Sequence, residues 1–226
     1  MKLSSIFNVI PQLALAAALT ALVGCASSNY EKGAATSASL TDAANKIGAG
    51  KAKIAAVLTS LNDLVNTSQG NLVPKYNQFN TAVDDLQSTA KEVNDRDADM
   101  RTKGDEYFKA WDEQLAQIKN EDIRNRSAET RNTVQKEFTD IQKSYVEVQI
   151  SFQPFMSNLK DIQTALGNDL TMQGVASIKG AAEQANQNGV KLEASVEKLD
   201  AQFRDLGVAM SPSAPAPTST TSAPPQ

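Results

Sequence analysis

Four stretches of this chain carry apolar residues three and four positions apart, and the segments between them are short and polar. The first runs through Leu40, Ala44, Ile47, Lys51, Ile54, Leu58, Leu61 and Val65. The second starts at Leu72 and continues through Tyr76, Phe79, Val83, Leu86, Ala90, Val93, Asp97, Met100, Gly104, Tyr107, Trp111, Gln114 and Ile118. The third is apolar at every position: Val134, Phe138, Ile141, Tyr145, Val148, Phe152, Phe155, Leu159, Ile162 and Leu166. The fourth is Val175, Ile178, Ala182, Ala185, Gly189, Leu192, Val196, Leu199, Phe203 and Leu206. This spacing gathers each set on one face of an α-helix, and its persistence predicts coiled-coil-like packing. Residues 66–71, 120–122 and 167–169 interrupt the pattern. Pro74 falls in a first helical turn, where it is tolerated, whereas Pro154 lies inside the third run and should kink it. Thr171 or Asp169 can cap the fourth run, and Gly207 is expected to stop it.

Short connections make successive helices antiparallel. The expected fold is therefore all-α, an elongated antiparallel four-helix bundle with a long central hairpin. Folding runs two and three about Glu121 pairs residues whose numbers add to 241 or 242. Ala90 then faces Phe152, and Gly104 faces Phe138, small against large as a packed layer requires. Asp97 meets Tyr145, whose hydroxyl would satisfy the carboxylate. Trp111 meets Arg131 as a cation–π pair. Runs two and three should each be about 70 Å long, and the outer two roughly 40–55 Å. The hairpin tip, residues 104–134, should then project past the outer helices on the side where the first helix begins. Tyr107, Phe108, Trp111 and Ile118 gather there with Arg131. With only two helices present they cannot all be covered, which makes the tip the expected partner contact.

The two ends of the chain differ from the middle. Lys2 precedes a mostly apolar stretch to Gly24, interrupted by Asn8 and Pro11, in the manner of a secretory signal rather than a membrane span. The stretch ends Leu22-Val23-Gly24-Cys25, which resembles the bacterial lipobox. That resemblance implies cleavage before Cys25, attachment of palmitate-type acyl chains and, with Ala26 and Ser27 following, sorting to the outer membrane on its periplasmic face. From Ser211 onward only Ser, Pro, Ala, Thr and Gln occur, a composition with nothing to bury. The chain thus divides into a signal peptide (1–24), a lipidated cysteine and linker (25–39), a helical bundle (40–207) and a Pro/Ser/Thr/Ala-rich tail (208–226).

Charge and chemistry narrow the function classes. The net charge is −4, and −5 without the first 24 residues, which hold one lysine and no acid. Such a surface has no electrostatic footprint for nucleic acid and no polybasic patch for anionic lipid. The chain contains no histidine and a single cysteine, so Ser-His-Asp and Cys-His mechanisms and Glu-x-x-His di-iron sites cannot be built. Asp95, Asp97, Asp99 and Glu106 match the spacing of a calcium loop, but Met100 stands where glycine is needed and a helix would splay the three aspartates. Ser157-x-x-Lys160 and Ser195-x-x-Lys198 lack the partner motifs of Ser-Lys hydrolases. Gly48-Ala49-Gly50-Lys51 lacks the earlier glycine and the strand of a phosphate loop. No catalytic residue, cofactor or metal site is expected.

Several residues together resemble a known family. They are Tyr76-Asn77, Trp111-x-x-Gln114-Leu115 with Asn120, Arg124 and Ser127, Pro154-Phe155, and Leu166-x-x-Asp169-Leu170-Thr171-x-x-Gly174-Val175-Ala176-Ser177-Ile178. The chain up to about Leu206 resembles an uncharacterised bacterial lipoprotein family, a domain of unknown function. The resemblance implies an all-helical envelope protein and brings no activity or ligand. The expected function is a non-enzymatic spacer, adaptor or scaffold, anchored to the membrane by lipid and contacting an envelope protein, the cell wall or a second copy of itself. The competing expectation is a periplasmic binding module holding a lipid or apolar ligand beside the small-residue layers at Ala90, Gly104, Ala182, Ala185 and Gly189.

Overall fold

In a computed structural model, residues 29–211 are described, and they form an antiparallel bundle of helices without strands. Helix α1 is Asn29–Val65, α2 is Val73–Leu115, α3 is Glu121–Asn168, α4 is Met172–Ser177 and α5 is Lys179–Ala209. The turn before α2 uses Gly70 at φ +103°, a backbone region that only glycine enters without strain. Asn120 caps α3 by accepting from the Ile123 amide at 3.1 Å. Thr171 caps α4 by accepting from the Gly174 amide at 3.1 Å. Between α4 and α5, Ile178 sits at φ −92°, ψ 2°, which splits the fourth run into two helices.

The four long helices form a ring in which each is antiparallel to its neighbours: α1 lies beside α2 and α5, and α3 beside α5 and α2. The first three of these pairs approach closely, and α2 and α3 stand farther apart. One apolar core runs through all of them, from Leu72, Phe79 and Leu166 at one end to Met100, Phe108 and Phe138 at the other. All ten positions of the fourth run are buried. Helix α3, at 48 residues, is about 72 Å long.

Three expectations about element bounds are corrected. Helix α1 starts at Asn29, so residues 29–39 are helix rather than linker. From Gly33 to Ser39 every residue is small, and Thr36 and Ser39 are buried. In α1 Val57 and Leu64 are fully buried, whereas the expected Leu58 and Val65 are only partly so, because α1 packs on two neighbours and its apolar face is correspondingly wide. Gly207 does not stop α5. It lies buried inside the helix, where its carbonyl accepts from Ser37 Oγ at 2.7 Å. A Cβ there would come 3.6 Å from Leu40, so the glycine serves close approach of α5 to α1.

Candidate functional site: the hairpin tip

Beyond residue 110 the structure is carried by α2 and α3 alone, and the site begins with how those two are joined. Gly104 faces Phe138 as the pairing predicts: a Cβ at residue 104 would lie 2.2 Å from the Phe138 ring. The Phe138 edge meets the Phe108 ring at 5.6 Å. Arg131 stacks over the Phe108 ring at 5.4 Å and pairs with Asp112 at 2.7 Å. Trp111 donates from Nε1 to Ser127 Oγ at 3.0 Å. Tyr107 leans on Trp111 and lies against Gly33 of α1, and burial pushes its hydroxyl up to about 12.

The expected aromatic patch is therefore largely spent inside the hairpin. Phe108 is only 5 % exposed. Tyr107 is half-covered by α1, which runs four residues past Gly33. Trp111 and Ile118 are half-buried. Arg131 pairs with Phe108 rather than with Trp111. The residues of the expected contact do come together, but as a lock between α2 and α3 rather than as a free surface.

What the tip exposes is a different set. Ile123, one turn into α3, is 58 % exposed. Near it in the chain are Lys119, Arg124 and Arg126, all exposed and none in an ion pair among the described residues, together with the exposed acids Glu121 and Asp122. Sequence reasoning missed Ile123 because it falls outside the 3,4 pattern. An apolar residue out of phase, three after a capping asparagine, was the available signal.

Lower in the hairpin, Asp97 is 7 % exposed, and its Oδ1 has no hydrogen-bond partner among the described residues. Its other oxygen accepts from Arg101 at 2.7 Å. The Tyr145 hydroxyl goes to Asn94 instead of satisfying this carboxylate. Burial raises the Asp97 pKa, and Arg101 only partly offsets that. Asp99 turns toward α1 instead, accepting from Ser39 at 2.9 Å and from Lys103 at 2.8 Å. Asp97 and Asp99 thus turn to different partners, and no group of residues that could hold a metal ion occurs among the described residues.

With the bundle and its tip described, the chain matches a family model over most of its length. The protein belongs to the family of proteins of unknown function DUF2959. The match spans residues 29–205, from the first residue of α1 almost to the end of α5. It therefore includes the whole α2–α3 hairpin and its tip. No curated protein and no solved structure matches the chain.

The small-residue layers are mostly filled. Phe138 occupies the space at Gly104, and Leu58 that at Gly189. Ala182 and Ala185 are buried in the core. Ala90 lines a cavity of about 60 Å³ with Ile54, Leu86, Phe152 and Leu192, room for a water or two rather than an acyl chain. On the outside of the α2–α3 seam at this level, Val93, Val146, Ile150 and Phe152 line an open groove of about 400 Å³. Cys25 and the tail beyond Ser211 lie outside the described residues.

Proposed function

We propose that this protein is a non-enzymatic envelope lipoprotein, held by a lipid on Cys25 in the outer membrane and acting as a rigid helical spacer that presents its far end to a partner in the periplasm. One observation carries the reading: only Ala26, Ser27 and Ser28 stand between Cys25 and the first residue of α1. An anchor at Cys25 would feed with almost no linker into a rod about 70 Å long. The opposite end, where α1 meets α2 and α3 meets α4, would then stand well away from the lipid. It carries exposed Val73 and Met172 beside an open cleft lined by Val65, Val175 and Lys179. Apolar side chains at the end of a rod suit a protein contact.

The apolar-ligand alternative has one observation in its favour, the groove and small cavity that meet at Val93, Val148 and Phe152. The cavity as it stands is too small for a lipid, so that reading would require α2 and α3 to part.

Photoreactive residues replacing Met172 and Trp111 in living cells, with Glu197 as the control position, test the reading. A discrete protein adduct from position 172 is expected. An adduct from position 111 alone would move the contact to the tip. No adduct at either position, with a lipid co-purifying, would overturn the spacer reading for the ligand carrier. Acyl attachment is checked separately by palmitate incorporation, which Cys25→Ala should abolish.

A further inference from the structure

The α1–α2 register sets the heights of the two chain segments at the tip end. Gly33 lies against Tyr107, Thr36 donates to the Lys103 carbonyl at 3.3 Å, and Asp42 pairs with Arg96 at 3.1 Å. Facing residues in these pairs add to between 138 and 140, so Asn29 is level with residues 109–111. Helix α2 runs on to Leu115, and residues 116–120 make the turn. At 1.5 Å per residue, the apex stands about 8–12 Å beyond the start of α1. Helix α5 ends lower, with Gly207 beside Leu40. The apex is thus the most advanced part of the described residues at this end.

The tether to Cys25 is short. Four Cα steps from Asn29 to Cys25 reach at most about 14 Å when fully extended. A lipid held at Cys25 therefore cannot keep the membrane surface far beyond the apex, and any shorter path brings the two together. A protein partner at the apex would have to fit into the few ångströms that remain. The chemistry of the apex fits the lipid surface instead. Ile123 is exposed for shallow insertion, and Lys119, Arg124 and Arg126, within four residues of it in the chain, are exposed and without carboxylate partners among the described residues. The nearby acids, Glu121 and Asp122, occupy the first turn of α3, where they face the positive end of the helix dipole. Three cations against two acids leave residues 119–126 at net +1 in a chain of net charge −4, not a polybasic patch but a local excess of positive charge beside an exposed apolar residue, which favours an anionic headgroup layer.

We infer that the apex of the α2–α3 hairpin, Ile123 with Lys119, Arg124 and Arg126, rests on the anionic surface of the same membrane that holds Cys25. The inference builds on the proposed lipidation of Cys25. Tip and acyl anchor then give two separated points of attachment, which fix the tilt of the rod where one flexible anchor could not.

The test uses the full chain purified from membranes and reconstituted into phosphatidylethanolamine–phosphatidylglycerol vesicles. Its intact mass is measured first. Cys25 is the only cysteine, and a thioether there leaves a thiol introduced by Ile123→Cys as the single labelling site. A fluorophore at position 123 should lose emission when the vesicles contain brominated lipid. The same fluorophore at exposed position 190 of α5 should not. Reversing the three cations (Lys119→Glu, Arg124→Glu, Arg126→Glu) should restore the emission with helical content unchanged. An acylated chain whose position 123 is quenched no more than position 190 would overturn this inference and leave the anchor standing. A mass without acyl chains would overturn both.

Discussion

The α1–α2 seam and the α2–α3 seam share one helix but are built from different side chains. Along α1 the contacts with α2 are small: Gly33, Thr36, Ser39, Ala43 and Gly50 let the backbones approach, and Lys46–Glu92, Lys53–Asp85 and Asp42–Arg96 flank them. Between α2 and α3 stand Phe108, Phe138, Tyr145, Phe152 and Tyr76, which hold the helices apart. Amides bridge the gap: Gln163 donates to Asn80 at 3.0 Å, and Tyr76 to the Gln163 carbonyl at 2.9 Å. Side-chain volume thus sets the spacing of each seam. The wide one leaves the mid-bundle groove, and it is also the seam that continues alone into the tip, where a stacked arginine and a tryptophan hydrogen bond replace the missing helices.

The largest expected effect breaks the wide seam at its tightest layer. Phe138→Ala should cost about 3–5 kcal/mol in urea unfolding, since the ring fills the space at Gly104 and its loss leaves a cavity. Gly104→Ala should cost about 1–3 kcal/mol, because the ring it meets is held by Phe108 and cannot turn away freely. Gly189→Ala should cost clearly less, since the atoms in its way are the flexible end of Leu58. Equal losses at the two glycines would refute the account of the seams.

Asp97 tests the same seam through pH. Its folded pKa lies above the ordinary value of 3.8, so above that value the folded state binds more protons than the unfolded one. Stability from this group is then fully present in acid and lost as pH rises through the folded pKa. Asp97→Asn should raise the Tm at neutral pH, and the gain should vanish near pH 3; a gain that persists there would point to a packing effect instead. Tyr107 and Tyr145, both pushed up to about 12 by burial, work at the other extreme. Their folded forms keep the proton while the unfolded phenols lose it from pH 10 upward. Stability should fall between about pH 10 and 12, and Tyr107→Phe should flatten that fall.

The smallest effects belong to the tip and the exposed ion pairs. Trp111→Phe removes one hydrogen bond and should cost about 1 kcal/mol or less globally. Amides of residues 111–131 should nonetheless exchange hydrogen faster in that variant, because local opening needs only two helices to part. Lys53→Ala should change stability by less than about 1 kcal/mol, as an exposed pair does.

Much of this architecture was legible in the chain. The α2–α3 pairing, with Gly104 against Phe138, followed from short turns and from small residues standing opposite large ones. The apolar face of α5 was read position by position, because a single stripe of Ala, Leu, Val and Phe faces a single core. The start of α1 was not legible. Residues 29–39 hold Gly, Ala, Ser and Thr with almost no large apolar side chain, and their partners, Asp99, Lys103, Tyr107 and Gly207, lie more than 50 residues away. A helix stabilised by close approach leaves little trace in local periodicity. The same omission hid the cover over Tyr107, since the extra length of α1 is what lies against it.

The sequence by itself determined the four helical runs, their antiparallel order and most layers of the core, because the 3,4 spacing of apolar residues and the polar breaks are local properties of the chain. The tertiary structure alone decided which residues the tip exposes. Phe108 and Arg131 are turned inward by each other, Tyr107 is covered by α1, and Ile123 is left outside. That outcome depends on the relative lengths and heights of three helices, which no single stretch of the chain encodes.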